Sequence, residues 1–197
     1  GVAIAEGIHR VNRDIDVQVR PLADGGEGTV EALTAGMNGK TEHVSVTGPL
    51  GNTVEASYGI IAETKTAIIE MAAAAGITLL AEKDRNPLYT TTYGVGELIR
   101  DAIKKGCRNF IVGIGGSATN DGGVGMLQAL GYGFLDADRK QVPYGAKGLA
   151  LIEKITDDRV VPELKECHFK IACDVANPLC GEQGCSAVFG PQKGATP

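Results

Sequence analysis

The sequence predicts an α/β fold built on a largely parallel sheet, because strand-like and helix-like segments alternate along the chain. The segment Asn109–Gly113 is continuously apolar at its centre, which is typical of a parallel strand buried on both faces. Residues 92–105 repeat apolar positions at helical spacing, and Gly106 follows as the helix stop. Glycine-rich turns join strands to helices. We therefore expect a Rossmann or flavodoxin-like sheet that binds ligands at the carboxyl ends of its strands.

The other elements are predicted from the same two periodicities, 3.6 residues for helices and two for strands. Further helices are predicted at residues 2–11, 29–35, 70–75, 123–130 and 149–155. Further strands are predicted at residues 16–20, 42–46, 54–61, 67–69 and 169–173, and residues 132–135 and 140–142 are predicted to form a hairpin. The chain begins inside a helix and stops just after a glycine-rich loop, so we expect a partial chain, truncated at both ends.

Composition and charge exclude several classes of function. The formal net charge of −5 leaves no basic surface for nucleic acid. No apolar run approaches the ~18 residues of a membrane span, and no signal segment opens the chain. We expect a soluble, cytoplasmic protein with no nucleic-acid or membrane partner. The five cysteines are scattered and lack a neighbouring His pair, so they are interpreted as ordinary buried thiols rather than disulfides or zinc ligands.

The strongest candidate site is the turn GIGGSATNDGG, which leads from the strand at Asn109–Gly113 into the next helix. The N-terminus of that helix is expected to offer unpaired N–H groups and the positive end of its dipole to a phosphate or carboxylate. The glycines let a ligand approach the backbone, and Asn120 and Asp121 offer oxygen atoms to Mg²⁺ or to a hydroxyl proton. The turn has neither the Walker A lysine nor the spaced dinucleotide fingerprint. The alternative is a strand–helix turn in which polar side chains only cap the helix.

A second loop of this kind precedes the helix predicted at residues 29–35. Its sequence, LADGGEGT, places Asp24 and Glu27 among glycines between a strand and a helix. Carboxylates in such a loop are not expected to be packing residues, so they are candidates for binding a substrate. The alternative is a solvated loop in which Glu27 favours the helix dipole.

Two further candidate site residues, Asp174 and Lys193, lie near the end of the chain. Asp174 follows the strand predicted at residues 169–173, where open α/β sheets bind ligands; an Asx turn is the alternative. Lys193 lies in the segment FGPQKGA and is a candidate to bind a phosphate oxygen or a substrate carboxylate, with an exposed lysine as the alternative. The threonine run at residues 90–92 is interpreted as a helix cap only.

These loops together favour one kind of chemistry. They supply glycines, Asp, Asn, Thr and one Lys, and no catalytic His or Cys arrangement accompanies them. That inventory suits phosphoryl transfer, in which catalysis consists mainly of positioning and charge neutralisation. It does not identify the acceptor.

At these loops the sequence resembles the glycerate kinase family, of the bacterial glycerate 2-kinase type. The matching stretches keep the family's order and span nearly the whole chain: PLADGGEGTVEAL, VTGPLG, IEMAAAAG, NPLYTTTYGVGELI, IVGIGGSATNDGGVGMLQALG, FLDAD, CDVANPLCG and AVFGPQKGATP. The family's opening strand, with its Asp-Ser-Phe-Lys type of loop, and its C-terminal portion have no counterpart in the chain.

The resemblance implies ATP and Mg²⁺ as co-substrate and cofactor, D-glycerate as the small-molecule acceptor, and 2-phosphoglycerate as the favoured product. It also implies a two-domain α/β fold with the site in the interdomain cleft. Residues 1–50 are then assigned to a partial N-terminal α/β domain. Residues 51–197 are assigned to a second α/β domain, present only in part. A homo-oligomer is left open.

Roles are assigned from residue chemistry. Asp121 and Asp174 are predicted to be the catalytic base and the Mg²⁺ ligand, in either order. The predicted substrate-binding residues are Asp24, Gly25, Gly26 and Glu27. The predicted phosphate- or nucleotide-binding residues are Gly115, Gly116, Ser117, Thr119, Asn120 and Lys193.

Two rival functions remain at this point. One is a non-catalytic module that binds a nucleotide or phosphate without positioning an acceptor. The other is a dehydrogenase on a Rossmann-like sheet, which requires a Gly-x-Gly-x-x-Gly turn and an acidic residue ~20 positions later. The turn at residues 113–118 departs from that pattern, so the kinase hypothesis is favoured over both.

Overall fold

The computed structural model of the protein describes residues 1–19 and 28–196. Its α-helices are α1 (Val2–Val11), α2 (Thr29–Gly36), α3 (Ala72–Ala75), α4 (Tyr93–Lys104), α5 (Val124–Ala129), α6 (Ala146–Leu149) and α7 (Cys185–Phe189). Its β-strands are β1 (Lys40–Thr47), β2 (Thr53–Ile61), β3 (Thr66–Glu70), β4 (Asn109–Gly113), β5 (Gly133–Leu135), β6 (Lys154–Thr156) and β7 (His168–Ala172). Short 3₁₀ helices lie at Ile77–Leu79, Glu82–Asp84, Pro162–Glu166 and Pro191–Lys193.

The main sheet has five strands in the order β1-β2-β3-β4-β7. Strands β3, β4 and β7 run parallel to one another. On the other side of β3, strand β2 pairs antiparallel with β3, and β1 pairs antiparallel with β2. Strands β5 and β6 form a separate antiparallel pair. The predicted α/β class is confirmed, with the parallel strands confined to one side of a mixed sheet.

Helices cover both faces of this sheet. Successive residues of a strand point to opposite faces, so β3 and β4 each contribute to two apolar clusters. On one face, Ala67 and Ile69 of β3 and Phe110 and Val112 of β4 belong to the core that also contains the apolar side of α4. On the other face, Ile68 packs in a smaller cluster with residues of α2. Strand β4 is internal, as predicted, although Ile111 on the α2 side is only partly buried.

Helix α4 ends as its sequence predicts. Gly106 adopts a φ of 92°, a left-handed conformation that glycine reaches without steric cost. Its N–H donates to the carbonyl of Ile103, and the N–H of Cys107 donates to the carbonyl of Ala102. This pair of bonds is the Schellman motif, which satisfies the last carbonyls of a helix.

Some predicted elements are wrong. Residues 149–155 are not one helix: α6 ends at Leu149, and Lys154–Thr156 form strand β6 because they pair with β5. The predicted hairpin of residues 132–135 and 140–142 is present in a short form, with one antiparallel bridge between Leu135 and Gln141 and two backbone hydrogen bonds around it, and β5 also pairs with β6. Residues 16–19 form no strand. Glu70 closes strand β3 rather than opening a helix.

The cysteines are less uniform than expected. Cys107 is buried, Cys167 and Cys185 are half-buried, and Cys173 and Cys180 are exposed. The interpretation as buried thiols therefore holds for Cys107 alone. Within the described ranges, no helix combines the length and the apolar character that crossing a membrane would require.

The division into domains at residue 50 stays a prediction. Strands β1 and β2 form a hairpin in which Thr47 lies opposite Thr53. A boundary at residue 50 would separate the two strands of this hairpin.

Candidate active site

A cavity of about 410 Å³ lies at the carboxyl ends of β4 and β7. Three of the four predicted loops line it. The turn after β4 contributes residues 114–117 and 119–123, the loop after β7 contributes residues 173–175, and the last segment contributes Cys185, Phe189, Gln192 and Lys193. Parallel strands bring their carboxyl ends to one edge of a sheet, which is why loops far apart in sequence meet there.

The turn after β4 is hydrogen-bonded to the end of α3 and to the residues that follow it. The N–H of Ala118 donates to the carbonyl of Ala75 at 2.8 Å, and the N–H of Ile77 donates to the carbonyl of Gly116 at 2.9 Å. On its inner side the turn is held by the hydroxyl of Thr90, which donates to the carbonyl of Ala118 at 2.8 Å. These bonds fix the backbone that carries the predicted phosphate-binding residues.

Asp121 is a buried carboxylate, only 2% exposed. Its Oδ2 accepts hydrogen bonds from the N–H and the hydroxyl of Thr92, at 2.9 and 2.8 Å, and from the N–H of Gly125 at 3.2 Å. Its Oδ1 accepts the N–H of Gly123 at 3.0 Å. Asp121 therefore joins the start of α4 to the start of α5, and most of its acceptor capacity is already used.

The expectation that the helix after this turn offers unpaired N–H groups is wrong. The N–H groups of Gly123 and Gly125 donate to the Asp121 carboxylate, and that of Val124 donates to the Asp121 carbonyl. The N–H of Met126 donates to the hydroxyl of Thr92 at 2.9 Å. The first turn of α5 is thus satisfied from within the protein and is not an anion site.

The threonine run at residues 90–92 has a larger part than the predicted helix cap. All three side chains are buried, with exposed fractions of 0, 0 and 1%. The hydroxyl of Thr92 bonds Asp121 and Met126 rather than an N–H of its own helix. The hydroxyl of Thr91 accepts the N–H of Tyr93 at the start of α4, as a helix cap would, but the partners of Thr90 and Thr92 lie about thirty residues away in sequence.

Lys193 reaches across the cavity to the glycine turn. Its ammonium donates to the hydroxyl of Ser117 at 2.8 Å and to the carbonyl of Thr119 at 2.7 Å. Among the described residues that line the cavity it is the one cation. Burial lowers the pKa of Lys193, and nearby Cys185 and Asp121 oppose that shift. Since an ammonium has three N–H donors, one is left for a ligand.

Asp174 contrasts with Asp121. It lies two residues after the end of β7, it is exposed, and it lines the same cavity. Its carboxylate makes no hydrogen bond or ion pair with the residues that the structure describes. The side chain of Asn120 has one partner. Its amide N–H donates to the hydroxyl of Ser186 on α7, and that hydroxyl donates to the amide oxygen.

The predicted substrate-binding residues Asp24, Gly25, Gly26 and Glu27 lie outside the described residues. Helix α2, which follows them in sequence, begins beside the carboxyl end of β3, because the N–H of Val30 donates to Oε1 of Glu70 at 2.8 Å. The roles predicted for all site residues stay predictions.

The donors of the cavity suit a hard cation. Carboxylate, amide and hydroxyl oxygens line it, and Mg²⁺ prefers such ligands while keeping several waters or phosphate oxygens of its own. No group of three or more His, Cys, Asp or Glu side chains that could hold a metal is present in the described part of the chain. Of the two carboxylates, that of Asp174 is free of partners among the described residues, whereas that of Asp121 keeps acceptor capacity mainly at Oδ1, which accepts one hydrogen bond.

The fold and the cavity together define an α/β protein with a cavity of the size of a small-molecule site at the carboxyl ends of its parallel strands. The chain matches the model of the glycerate kinase family over residues 1–197, and it belongs to that family.

Individual relatives agree with this assignment. The chain is 55% identical to glycerate kinase of Haemophilus influenzae, a match that covers 99% of this chain and 52% of the relative. It is 50% identical to glycerate 2-kinase of Escherichia coli, over 98% of this chain and 51% of the relative. A crystal structure described as glycerate kinase 2 of Salmonella typhimurium matches with a TM-score of 0.89 at 50% identity, covering 100% of this chain and 53% of that one. The chain spans about half the length of these relatives.

Proposed function

We propose that the protein is an ATP-dependent kinase that transfers the terminal phosphoryl group of ATP to D-glycerate in the cytoplasm, with 2-phosphoglycerate as the favoured product. The observation that carries the proposal is that a cation and an unbonded carboxylate, Lys193 and Asp174, line the same cavity. Membership of the glycerate kinase family supports glycerate as the acceptor.

Lys193 supplies the positive charge for the nucleotide. Two of its donors hold Ser117 and Thr119, so its ammonium is oriented before a ligand arrives and its remaining donor is available to a phosphate oxygen. Pre-oriented charge stabilises the transferring phosphoryl group without reorganisation during the reaction. We assign the nucleotide phosphates to this side of the cavity, with Gly115, Gly116 and Asn120 along the backbone that approaches them.

Asp174 is placed to accept the proton of the acceptor. The glycerate hydroxyl oxygen forms a bond to the γ-phosphorus, the bond between that phosphorus and the β,γ-bridging oxygen breaks, and ADP leaves with the electron pair. The hydroxyl proton passes to the Asp174 carboxylate, which has no competing partner in the described structure. Mg²⁺ would neutralise charge on the phosphate oxygens. With Asp174 acting as the base, the residue we assign to hold Mg²⁺ is Asp121, which lines the cavity and whose Oδ1 accepts a single hydrogen bond.

The substrate side of the proposal rests on the loop that contains Asp24, Gly25, Gly26 and Glu27. We propose that this loop binds glycerate, because it precedes α2, whose first turn lies beside Glu70 at the same edge of the sheet. This assignment is independent of the nucleotide side and is tested separately through the KM for glycerate.

The test is turnover by the complete natural protein. We expect ATP consumption that depends on added D-glycerate and on Mg²⁺, followed as ADP release. The product is identified with enolase alone, which dehydrates 2-phosphoglycerate directly, whereas the 3-isomer first needs a mutase. A folded protein that binds ATP without glycerate-dependent turnover would support the non-catalytic nucleotide-binding module instead. L-Glycerate serves as the matched control for acceptor recognition.

A further inference from the structure

The threonine run contains a buried contact that the proposed reaction does not use. Thr90 and Ala118 are both fully buried, at 0% exposure. The hydroxyl of Thr90 donates to the carbonyl of Ala118 at 2.8 Å, across 28 residues of sequence. A residue with no exposed surface is shielded from bulk solvent, and the hydroxyl of Thr90 is the hydrogen-bond donor that the Ala118 carbonyl has among the described residues.

The contact between Thr90 and Ala118 matters because Ala118 lies between the two residues that hold Lys193. Its two neighbours, Ser117 and Thr119, supply both acceptors of the Lys193 ammonium. The N–H of Ala118 is bonded to the carbonyl of Ala75, so the residue between the two lysine acceptors is held through both of its backbone groups. Movement of Ala118 would move both partners of the lysine together.

We propose that Thr90 is a positioning residue for nucleotide binding: its hydroxyl fixes Ala118, and Ala118 sets the two acceptors that orient Lys193 toward the phosphates. The inference rests on the proposed function, in which Lys193 binds a phosphate. Thr90 contacts no ligand itself, since the cavity is lined by its partner turn and by Thr92 but not by Thr90.

Replacement by valine separates the hydroxyl from the shape of the side chain. Thr90→Val keeps the β-branched volume but leaves a buried carbonyl unpaired, so the turn is expected to shift toward another donor. In the complete natural protein we expect the KM for ATP, and the Kd for the non-hydrolysable analogue β,γ-imido-ATP, to rise about tenfold. The KM for glycerate should be little changed. Thr90→Ser restores the hydroxyl and should restore both constants.

A matched control is available on strand β3. Thr66 is also a buried threonine, 9% exposed, and its hydroxyl is hydrogen-bonded to Thr64. It begins β3, at the end of the strand opposite to the cavity. Thr66→Val removes a buried hydroxyl whose partner Thr64 is exposed and can bond water instead, so it should leave nucleotide binding unchanged. Equal effects of both valine variants on nucleotide binding would overturn the inference.

A double variant tests the route through the lysine. If Thr90 acts by orienting Lys193, then Thr90→Val adds nothing to the KM for ATP once Lys193→Met is present. Additive effects would show that Thr90 acts elsewhere and would overturn the proposal. Absence of glycerate-dependent turnover in the natural protein, with binding of β,γ-imido-ATP still sensitive to Thr90→Val, would refute the proposed reaction and retain the positioning role. A natural protein that binds no nucleotide would refute both.

Discussion

The two walls of the cavity occupy equivalent places in the fold but are built differently. The turn after β4 carries Asp121, which is buried and accepts four hydrogen bonds. The loop after the adjacent parallel strand β7 carries Asp174, which is exposed and makes none within the described residues. Carboxylates at the ends of neighbouring strands therefore have contrasting environments: one is committed to the structure and the other is available to a ligand.

The different environments of Asp121 and Asp174 suit the two carboxylates to different roles. A carboxylate that accepts several hydrogen bonds from the protein is held in one orientation, which suits it to keep a wall of the cavity in place. A carboxylate without partners keeps its acceptor sites for a proton or a cation. We therefore expect substitutions on the β4 side to act on stability and nucleotide binding, and substitutions on the β7 side to act on turnover.

The largest expected effect is that of Asp174→Asn on turnover. Loss of this carboxylate should lower kcat by at least ~10². The unfolding temperature should be unchanged, because the Asp174 carboxylate makes no hydrogen bond or ion pair with the described residues. Steady-state kinetics with ATP and glycerate, together with thermal unfolding, measure both. Asp138→Asn, at a carboxylate that is 77% exposed in another loop, is the control. A near-normal kcat would move the base to another residue, with Asp24 and Glu27 as the next candidates.

The second-largest expected effect is that of Lys193→Met on nucleotide binding. The variant keeps the length of the side chain and removes its charge, so we expect the KM for ATP to rise by about ten- to a hundredfold, as for loss of a charge-assisted hydrogen bond. Lys83→Met, at an exposed lysine outside the cavity, should leave this constant unchanged. A rise in the KM for glycerate alone would instead assign Lys193 to the substrate carboxylate.

Asp121→Asn should act mainly on stability. An amide has a single acceptor oxygen, so its NH₂ group would face N–H donors that the carboxylate now accepts. We expect a loss of about 1–3 kcal/mol in the free energy of unfolding, measured by urea denaturation. Asp174→Asn serves as the paired control with little loss. Equal stability of the two variants would contradict the contrast between the walls, and kcat of folded Asp121→Asn tests its predicted catalytic role.

The smallest expected effect concerns pH. Burial lowers the pKa of Lys193 from its usual 10.5, so the folded protein loses this charge at a lower pH than an exposed lysine would. The affinity for β,γ-imido-ATP should therefore weaken as pH rises through that lowered pKa. Lys193→Arg keeps its charge over the same range and should remove this dependence. A wild-type affinity that stays constant up to the usual lysine pKa would show that the ammonium is not what the phosphates contact.

Much of the fold could be predicted because its signals are local. The apolar strand Asn109–Gly113 and the amphipathic helix before Gly106 carry their periodicity within one segment, and both are confirmed. The segment at residues 149–155 has apolar spacing that fits either a helix or a strand. Its partner β5 lies about twenty residues earlier in the chain, and pairing with it decided the outcome.

The sequence by itself identified the candidate site residues: a glycine turn after a buried strand, an aspartate after another strand, and a lysine near glycines. It also placed them at one edge of an α/β sheet, because parallel strands end together. The tertiary structure decided how each is used. Asp121 is bonded to Thr92, 29 residues earlier in the chain, and Lys193 to Ser117, 76 residues earlier. Burial and hydrogen-bond partners depend on contacts between distant segments, and no local pattern encodes them.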